Sequence, residues 1–201
     1  MQTLHIIGFG GHSKVVIDVA EQNRFAQMSI YDDNIEKNHL KYRHYTVHAP
    51  TPTDLEGDAI ISIGSNRIRK RISGDYPRLK WKSLIHPSAY IAPDVKIGEG
   101  TVVMAGVIIQ PGTVIGNHCI INTGARIDHD CIIGDYSHLA PGVSLAGTVT
   151  IGEGTLIGIG SCVVPNVCIG KWVIIGAGSV VIEGLPNEVT AYGNPCRIKN
   201  R

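Results

Sequence analysis

Aromatic residues are scarce in this chain: Trp 2, Tyr 7 and Phe 2 among 201 residues. A core without large rings must be filled by small aliphatics, and hydrophobic residues make up 43% of the sequence. With only 17% charged residues, that composition excludes a disordered chain. An excess of one charge is also missing, since 18 Lys and Arg stand against 17 Asp and Glu. A general nucleic-acid or membrane-surface binder is strongly basic, so no nucleic acid partner is expected. No apolar run approaches the roughly 18 residues of a membrane helix, so no membrane insertion is expected. A signal peptide is not expected either, because Met1-Gln2-Thr3 leads straight into the strand-like Leu4–Ile7. The five cysteines are odd in number and lack zinc-ligand spacing. They read as reduced, mostly buried thiols of a cytoplasmic protein.

Glycine, by contrast, is abundant at 24 residues, and much of it belongs to a repeat. From Ile91 to Val181 an aliphatic residue recurs every six positions, sixteen times without a slip. Four residues after most of these comes a small or β-branched residue, as at Thr101, Cys119, Ala125, Cys131, Ser137, Thr155, Ser161 and Ser179. Glycine often follows the aliphatic directly, as at Gly98, Gly116, Gly134, Gly152, Gly158, Gly170 and Gly176. Neither a helix nor a simple strand has a period of six. Short strands joined by a tight corner every six residues do, with the aliphatic inside and glycine relieving backbone crowding. This is the hexapeptide class of parallel β-helix. Three hexapeptides per coil make five coils of residues 92–181. The open coil ends need caps, for which the N-terminal segment and residues 182–201 are available.

The first eighty residues follow another logic. Leu4–Ile7 and Met28–Tyr31 read as strands, Lys14–Gln22 as a helix, Ala59–Ile63 as a third strand and Ile68–Ile72 as a basic helix. Strand, glycine loop, helix, strand and acid in that order make a small Rossmann-like α/β nucleotide-binding unit. Gly8-Phe9-Gly10-Gly11-His12-Ser13 departs from the dinucleotide fingerprint, because Ser13 stands where the third glycine falls. That favours a nucleotide or nucleotide sugar over NAD. Asp32 or Asp33 is expected to accept hydrogen bonds from a ribose or base, and Arg69 reads as a cation on the helix surface. The division is therefore residues 1–85 for the α/β domain and residues 86–201 for the β-helix with its C-terminal cap.

Three segments together resemble one family: Gly8-Phe9-Gly10-Gly11-His12-Ser13-Lys14, Ile63-Gly64-Ser65-Asn66-Arg67-Ile68-Arg69, and Asn122 through Cys131 followed by Ser137-His138. They resemble the bacterial sugar acetyltransferases that include the bacillosamine-pathway N-acetyltransferases and the sialic acid O-acetyltransferases. The resemblance spans essentially the whole chain. It implies a left-handed β-helix assembled as a homotrimer, with active sites at subunit interfaces. It implies acetyl-CoA as co-substrate, with no permanently bound cofactor, and a nucleotide-activated amino sugar as acceptor. By motif, His129 becomes the general base and Asp130 raises its basicity. His138, Gly147, Ile159 and Ala177 line the acetyl-CoA site, while Gly10, Gly11, His12, Asp32, Asp33 and Gly64 contact the nucleotide sugar.

The chemistry suits those residue types. Histidine titrates near neutrality, and a neighbouring carboxylate orients and stabilises its charged form. Adjacent side chains of a straight strand point apart, so the Asp130 role depends on a corner at that position. A three-histidine metal site at His118, His129 and His138 is disfavoured by separations of 11 and 9 residues, and His118 reads as a surface residue. Cys131 occupies an inward position and is expected to be inert, which favours direct transfer. Ile159 and Ala177, 18 residues apart, should stack on adjacent coils. The tail cations Arg197, Lys199 and Arg201 read as solvated. O-acetylation of a sialic-acid-like hydroxyl is an alternative, and a non-catalytic trimeric nucleotide-binding scaffold is another.

Overall fold

The computed structural model of the chain describes residues 3–199. The N-terminal unit contains β1 (Leu4–Ile7), α1 (Gly11–Gln22), β2 (Met28–Tyr31), β3 (Lys41–Tyr42), β4 (Tyr45–His48), β5 (Gly57–Ile61), α2 (Asn66–Asp75) and β6 (Leu79–Trp81). Its sheet order is β3-β4-β2-β1-β5-β6, parallel except for the β3–β4 pair. The third strand ends at Ile61, two residues before the expected Ile63, because the Ser62 hydroxyl turns back to donate to the Gly8 carbonyl at 2.5 Å. The β3–β4 hairpin was not foreseen; its strands are too short for alternation to show, and only Tyr45 and Val47 are buried there.

From Leu84 onward the chain winds as a triangular parallel β-helix. The first face carries Leu84–Ile85, Val102–Val103, Ile120–Ile121, His138–Leu139, Leu156–Ile157 and Ile174–Ile175. The second carries Tyr90–Ile91 through Val180–Val181, and the third Lys96–Ile97 through Cys168–Ile169. Every pairing within these runs is parallel at a register of 18, for example Ile120↔His138 and His138↔Leu156. From Ile91 to Val181 the second residue of each strand points inward and builds one continuous aliphatic core, whereas Ile85 at the start of the first face is exposed. Between the strands, Val107, Cys119, Ala125, Cys131, Val143, Val149, Val167 and Val173 add to the same core.

The small residues between strands are also inward, and their hydroxyls form a second ladder. Thr101, Thr113, Ser137, Thr155 and Ser161 each donate to a carbonyl 15 residues on, at 2.7–3.0 Å. That satisfies polar groups no water reaches. Two glycine sets serve the corners. Gly98, Gly116, Gly134, Gly152, Gly158, Gly170 and Gly176 lie so close to the next coil or cap that a Cβ would fall under 3.0 Å from it. A second set, including Gly100, Gly106, Gly112, Gly124 and Gly142, supplies positive φ every six residues. His118, Asp130, Tyr136, Thr148, Asn166 and Trp172 hold the same left-handed corner without being glycine.

The repeat ends by shortening. Ile174 pairs with Thr190 and Ile169 with Leu185, an offset of 16 rather than 18. The strand at Thr190–Tyr192 then folds back antiparallel onto Arg197–Ile198 and closes the end of the first face. The N-terminal unit reaches the β-helix along that same face. Val16, Ile17 and Ala20 of α1 share one core with Leu84, Val102 and Met104. Among the described residues no helix is long and apolar enough to cross a membrane.

Candidate active site

The parallel strands β1 and β5 are neighbours whose following helices leave in opposite directions, and a crevice opens at such a switch point. Gly8 must be glycine there: its φ is +100, and a Cβ would meet Ile63 Cγ1 at 2.3 Å. Ser13, standing where the fingerprint has glycine, tightens the loop. Its hydroxyl donates to the Gly10 carbonyl at 2.6 Å and lies 3.0 Å from the Gly10 N–H. Gly10 and Gly11 face open space, with nothing within 4 Å of a notional Cβ.

Asp32 is tied to this loop. Its Oδ2 accepts the Phe9 N–H at 2.7 Å and the Lys37 ammonium at 2.8 Å, and its Oδ1 accepts the Asn34 N–H. Burial opposes its ionisation, but Lys37 and the Phe9 and Asn34 amides outweigh burial and hold the carboxyl below its usual range. Asp33 is exposed and, with Thr53, Arg71 and Tyr76, lines a cavity of about 260 Å³.

His12, in the first turn of α1, lies with its ring centroid 6.3 Å from that of His138 on the first face of the β-helix. Asn122 Nδ2 stands 3.1 Å from His138 Nε2, whereas His12 Nε2 is buried without a partner. Burial, reinforced by the Arg69 charge, lowers His12 to about 4 and His138 to about 3. Both imidazoles are therefore neutral at pH 7. Gly64 also lines a cavity of about 240 Å³ between Asn66 and Arg67 of α2 and Leu156, Trp172 and Ile174.

The pair His129 and Asp130 sits elsewhere, at the corner joining the second and third faces. Asp130 has φ 57, and this left-handed corner turns two adjacent side chains outward together. His129 Nδ1 lies 2.8 Å from Asp130 Oδ2, with both side chains more than half exposed. The hydrogen bond to Asp130, and then the charge of Asp128, raise the His129 pKa. With Nδ1 engaged, Nε2 is left free, and it points over Gly147, where a Cβ would approach it to 2.5 Å. On the other side Gly112 leaves room for Asp130 Oδ1, which a Cβ would meet at 2.3 Å. Gly112 was not singled out from sequence; its place one coil before Asp130 was the available signal.

Ile159 and Ala177 stack at the corner between the first and second faces, both exposed, with the Gly178 N–H donating to the Ile159 carbonyl at 2.8 Å. In a triangular coil the His129 corner lies opposite the first face. One chain therefore brings His12, Gly64 and His138 together, and His129, Asp130 and Gly147 together, but holds the two groups on opposite sides.

Two residues differ from expectation. Arg69 is not a surface cation: it is 1% exposed and donates to carbonyls of both units. His118 is 3% exposed rather than on the surface, stacked on Tyr136 at 5.3 Å and edge-on to Trp81. Helix periodicity and a six-residue repeat carry no information about where one unit docks on the other, so neither was visible. Cys119, Cys131 and Cys196 are buried, whereas Cys162 and Cys168 are exposed on the outer faces. Burial pushes the Cys131 thiol pKa up, so it is a poor nucleophile. Arg197 pairs with Glu183 at 2.8 Å, and Arg201 lies outside the described residues. Among the described residues no group of three or more His, Cys, Asp or Glu is placed to hold a metal.

Residues 3–75 match the PglD N-terminal domain, and residues 112–147 and 148–183 match the bacterial transferase hexapeptide (six repeats). The chain is 42% identical over 115 residues to the UDP-N-acetylbacillosamine N-acetyltransferase of Bacillus subtilis (strain 168), a match covering 52% of each. The chain thus spans about half the length of that curated relative, and 21% of another, the uncharacterized protein L142 of Acanthamoeba polyphaga mimivirus. Among solved structures, a mutant of the GDP-perosamine N-acetyl transferase from Caulobacter crescentus, in complex with CoA and GDP-perosamine, superposes with TM-score 0.93 at 37% identity. That match covers 100% of this chain and 98% of the other. The acetyltransferase domain of PglB from Neisseria gonorrhoeae FA1090, in complex with acetyl coenzyme A, gives TM-score 0.88 at 33% identity over 98% of this chain and 99% of that one. The α/β unit, the hexapeptide coils and this near-complete overlap place the chain in the hexapeptide-repeat family of sugar N-acetyltransferases with a PglD-type N-terminal domain.

Proposed function

We propose that the protein transfers the acetyl group of acetyl-CoA to the amino group of a nucleotide-linked sugar, by direct attack, with His129 as general base. The observation that carries this is the exposed His129–Asp130 pair, whose free Nε2 opens over Gly147. The solved relatives with CoA and GDP-perosamine or with acetyl coenzyme A support the choice of substrates. In the reaction the amine nitrogen attacks the thioester carbonyl and His129 Nε2 takes the proton it sheds. Asp130 stabilises the resulting imidazolium. Collapse of the tetrahedral intermediate breaks the C–S bond, and the imidazolium returns its proton to the departing thiolate.

In this reading residues 1–85 hold the nucleotide sugar and residues 86–201 carry the transfer. Gly10, Gly11, His12, Asp33 and Gly64 line the acceptor site, and Asp32 serves it by fixing the Phe9 amide and Lys37 beside the glycines. His138, Gly147, Ile159 and Ala177 line the path of acetyl-CoA. Because His129 and His138 face opposite ways in one chain, a complete site joins the His129 corner of one copy to the His138 cleft of another, in a homotrimer. The enzyme works in the cytoplasm, where nucleotide sugars and acetyl-CoA are available.

Incubation with acetyl-CoA and a panel of UDP- and GDP-linked amino sugars tests the proposal. Thiol release should depend on one of these acceptors, and its product should gain one acetyl group that survives hydroxylamine. Release independent of every acceptor, or a hydroxylamine-labile product, contradicts it.

A further inference from the structure

Arg69 is a buried cation with no carboxylate among its hydrogen-bond partners. Its Nε donates to the His118 carbonyl at 3.0 Å, and its Nη2 to the carbonyls of Tyr136 at 2.8 Å and Ser137 at 3.4 Å. These belong to two successive coils of the β-helix. Its Nη1 donates to the carbonyls of Ile63 at 3.2 Å and Gly64 at 2.9 Å, in the loop after β5. One guanidinium thus spans the loop bearing Gly64 and the residue immediately before His138. Burying a charge is costly, and a rigid fork of five donors is the side chain able to offset that cost with carbonyls alone. Other contacts also fasten α2 to the β-helix: Asn66 to the Gly154 carbonyl, Ser73 to the Tyr136 hydroxyl, and Lys70 to Glu153. Of the side-chain contacts from α2, Arg69 alone reaches both Gly64 and the strand of His138.

We propose that Arg69 is a positioning residue: it fixes the Gly64 loop against the His138 strand and so sets the distance between acceptor and thioester. This rests on the acetyl-transfer reading above. Misplacement of about 1 Å is enough to cost roughly a hundredfold in rate. The charge has a second consequence in the same place, because it faces both His12 and His138 and disfavours their protonation.

The test compares Arg69→Lys with Ser73→Ala in the full chain. Ser73→Ala loosens the docking of α2 without touching the Gly64 loop. For Arg69→Lys, kcat should fall about a hundredfold, while affinities for CoA, UDP and GDP measured one at a time change by less than about threefold. Ser73→Ala should keep wild-type kcat. Amide exchange over residues 63–66 should quicken in Arg69→Lys and not in Ser73→Ala. Exchange needs no substrate, so it separates failure of this proposal from failure of the acetyl-transfer reading, which an inactive wild type would show. Unchanged kcat or unchanged exchange in a folded Arg69→Lys overturns the proposal, as does an equal loss in Ser73→Ala. Arg69→Gln is read in the same way if the lysine chain does not fold, and a chain that folds with neither contradicts a role confined to positioning.

Discussion

Replacing His129 with alanine lowers kcat by about 10²–10⁴-fold, the usual contribution of a general base, with the fold unaffected. The side chain is exposed at a corner and contributes nothing to the aliphatic core, so circular dichroism and Tm should match the wild type. The pH profile carries the finer test. A base acts only when unprotonated, so kcat/KM falls as pH drops through the His129 pKa. Asp130, and then Asp128, raise that pKa, which places the acid limb above the ordinary imidazole value of about 6.5. Asp130→Asn removes the main cause and moves the limb to lower pH. The amino group of the acceptor also needs to be unprotonated, but its titration does not depend on Asp130, so the displacement reports on His129. A limb that stays in place in Asp130→Asn contradicts the pairing. His12 and His138, lowered to about 4 and 3, do not titrate in this range.

The second large effect is on stability. At Gly152 a Cβ would lie 2.5 Å from the Gly170 carbonyl carbon, 2.6 Å from its oxygen and 2.6 Å from the Lys171 nitrogen. All three are backbone atoms of the next coil, and none moves without parting the rungs. Gly152→Ala should cost about 3 kcal/mol, the upper end for overpacking, which for a chain of this size lowers Tm by roughly 6–12 °C. Gly160 is the control. Nothing lies within 4 Å of its notional Cβ, and only its φ of +65 disfavours alanine. Gly160→Ala should therefore cost about 1 kcal/mol. Thermal denaturation of both variants decides the matter, and equal losses contradict coil contact as the reason for the first glycine set.

These two effects trace what a linear sequence reveals of this fold. The aliphatic period was legible because each corner demands the same kind of inward side chain, from Ile91 to Val181, without exception. The small or β-branched position four residues on was legible in the same way, but its hydroxyl ladder was not, because the acceptors are carbonyls 15 residues further along the chain. The left-handed corners were hidden, although they also recur every six residues, because His118, Asp130, Tyr136 and Trp172 interrupt the glycines there. The same substitution gave the site its corner: a glycine at 130 would turn the chain as well but hold no histidine. Ile159 over Ala177 and Gly147 over His129 were consequences of the register of 18. Docking was not legible. Nothing in α2 distinguishes Arg69 from its basic neighbours until the first face of the β-helix is brought against it. The shortened last coil likewise leaves no trace in the repeat, since it begins only where the repeat stops.

The proposed site is assembled from two chains. Co-expressing His129→Ala chains with chains carrying both His12→Ala and His138→Ala tests it most directly. Each variant alone should be nearly inactive. If His129 of one copy serves the cleft of another, random mixing restores about a quarter of the sites, each built from the intact halves of two chains. A mixture no more active than its two components places both histidine groups in separate roles within one chain and contradicts the shared site.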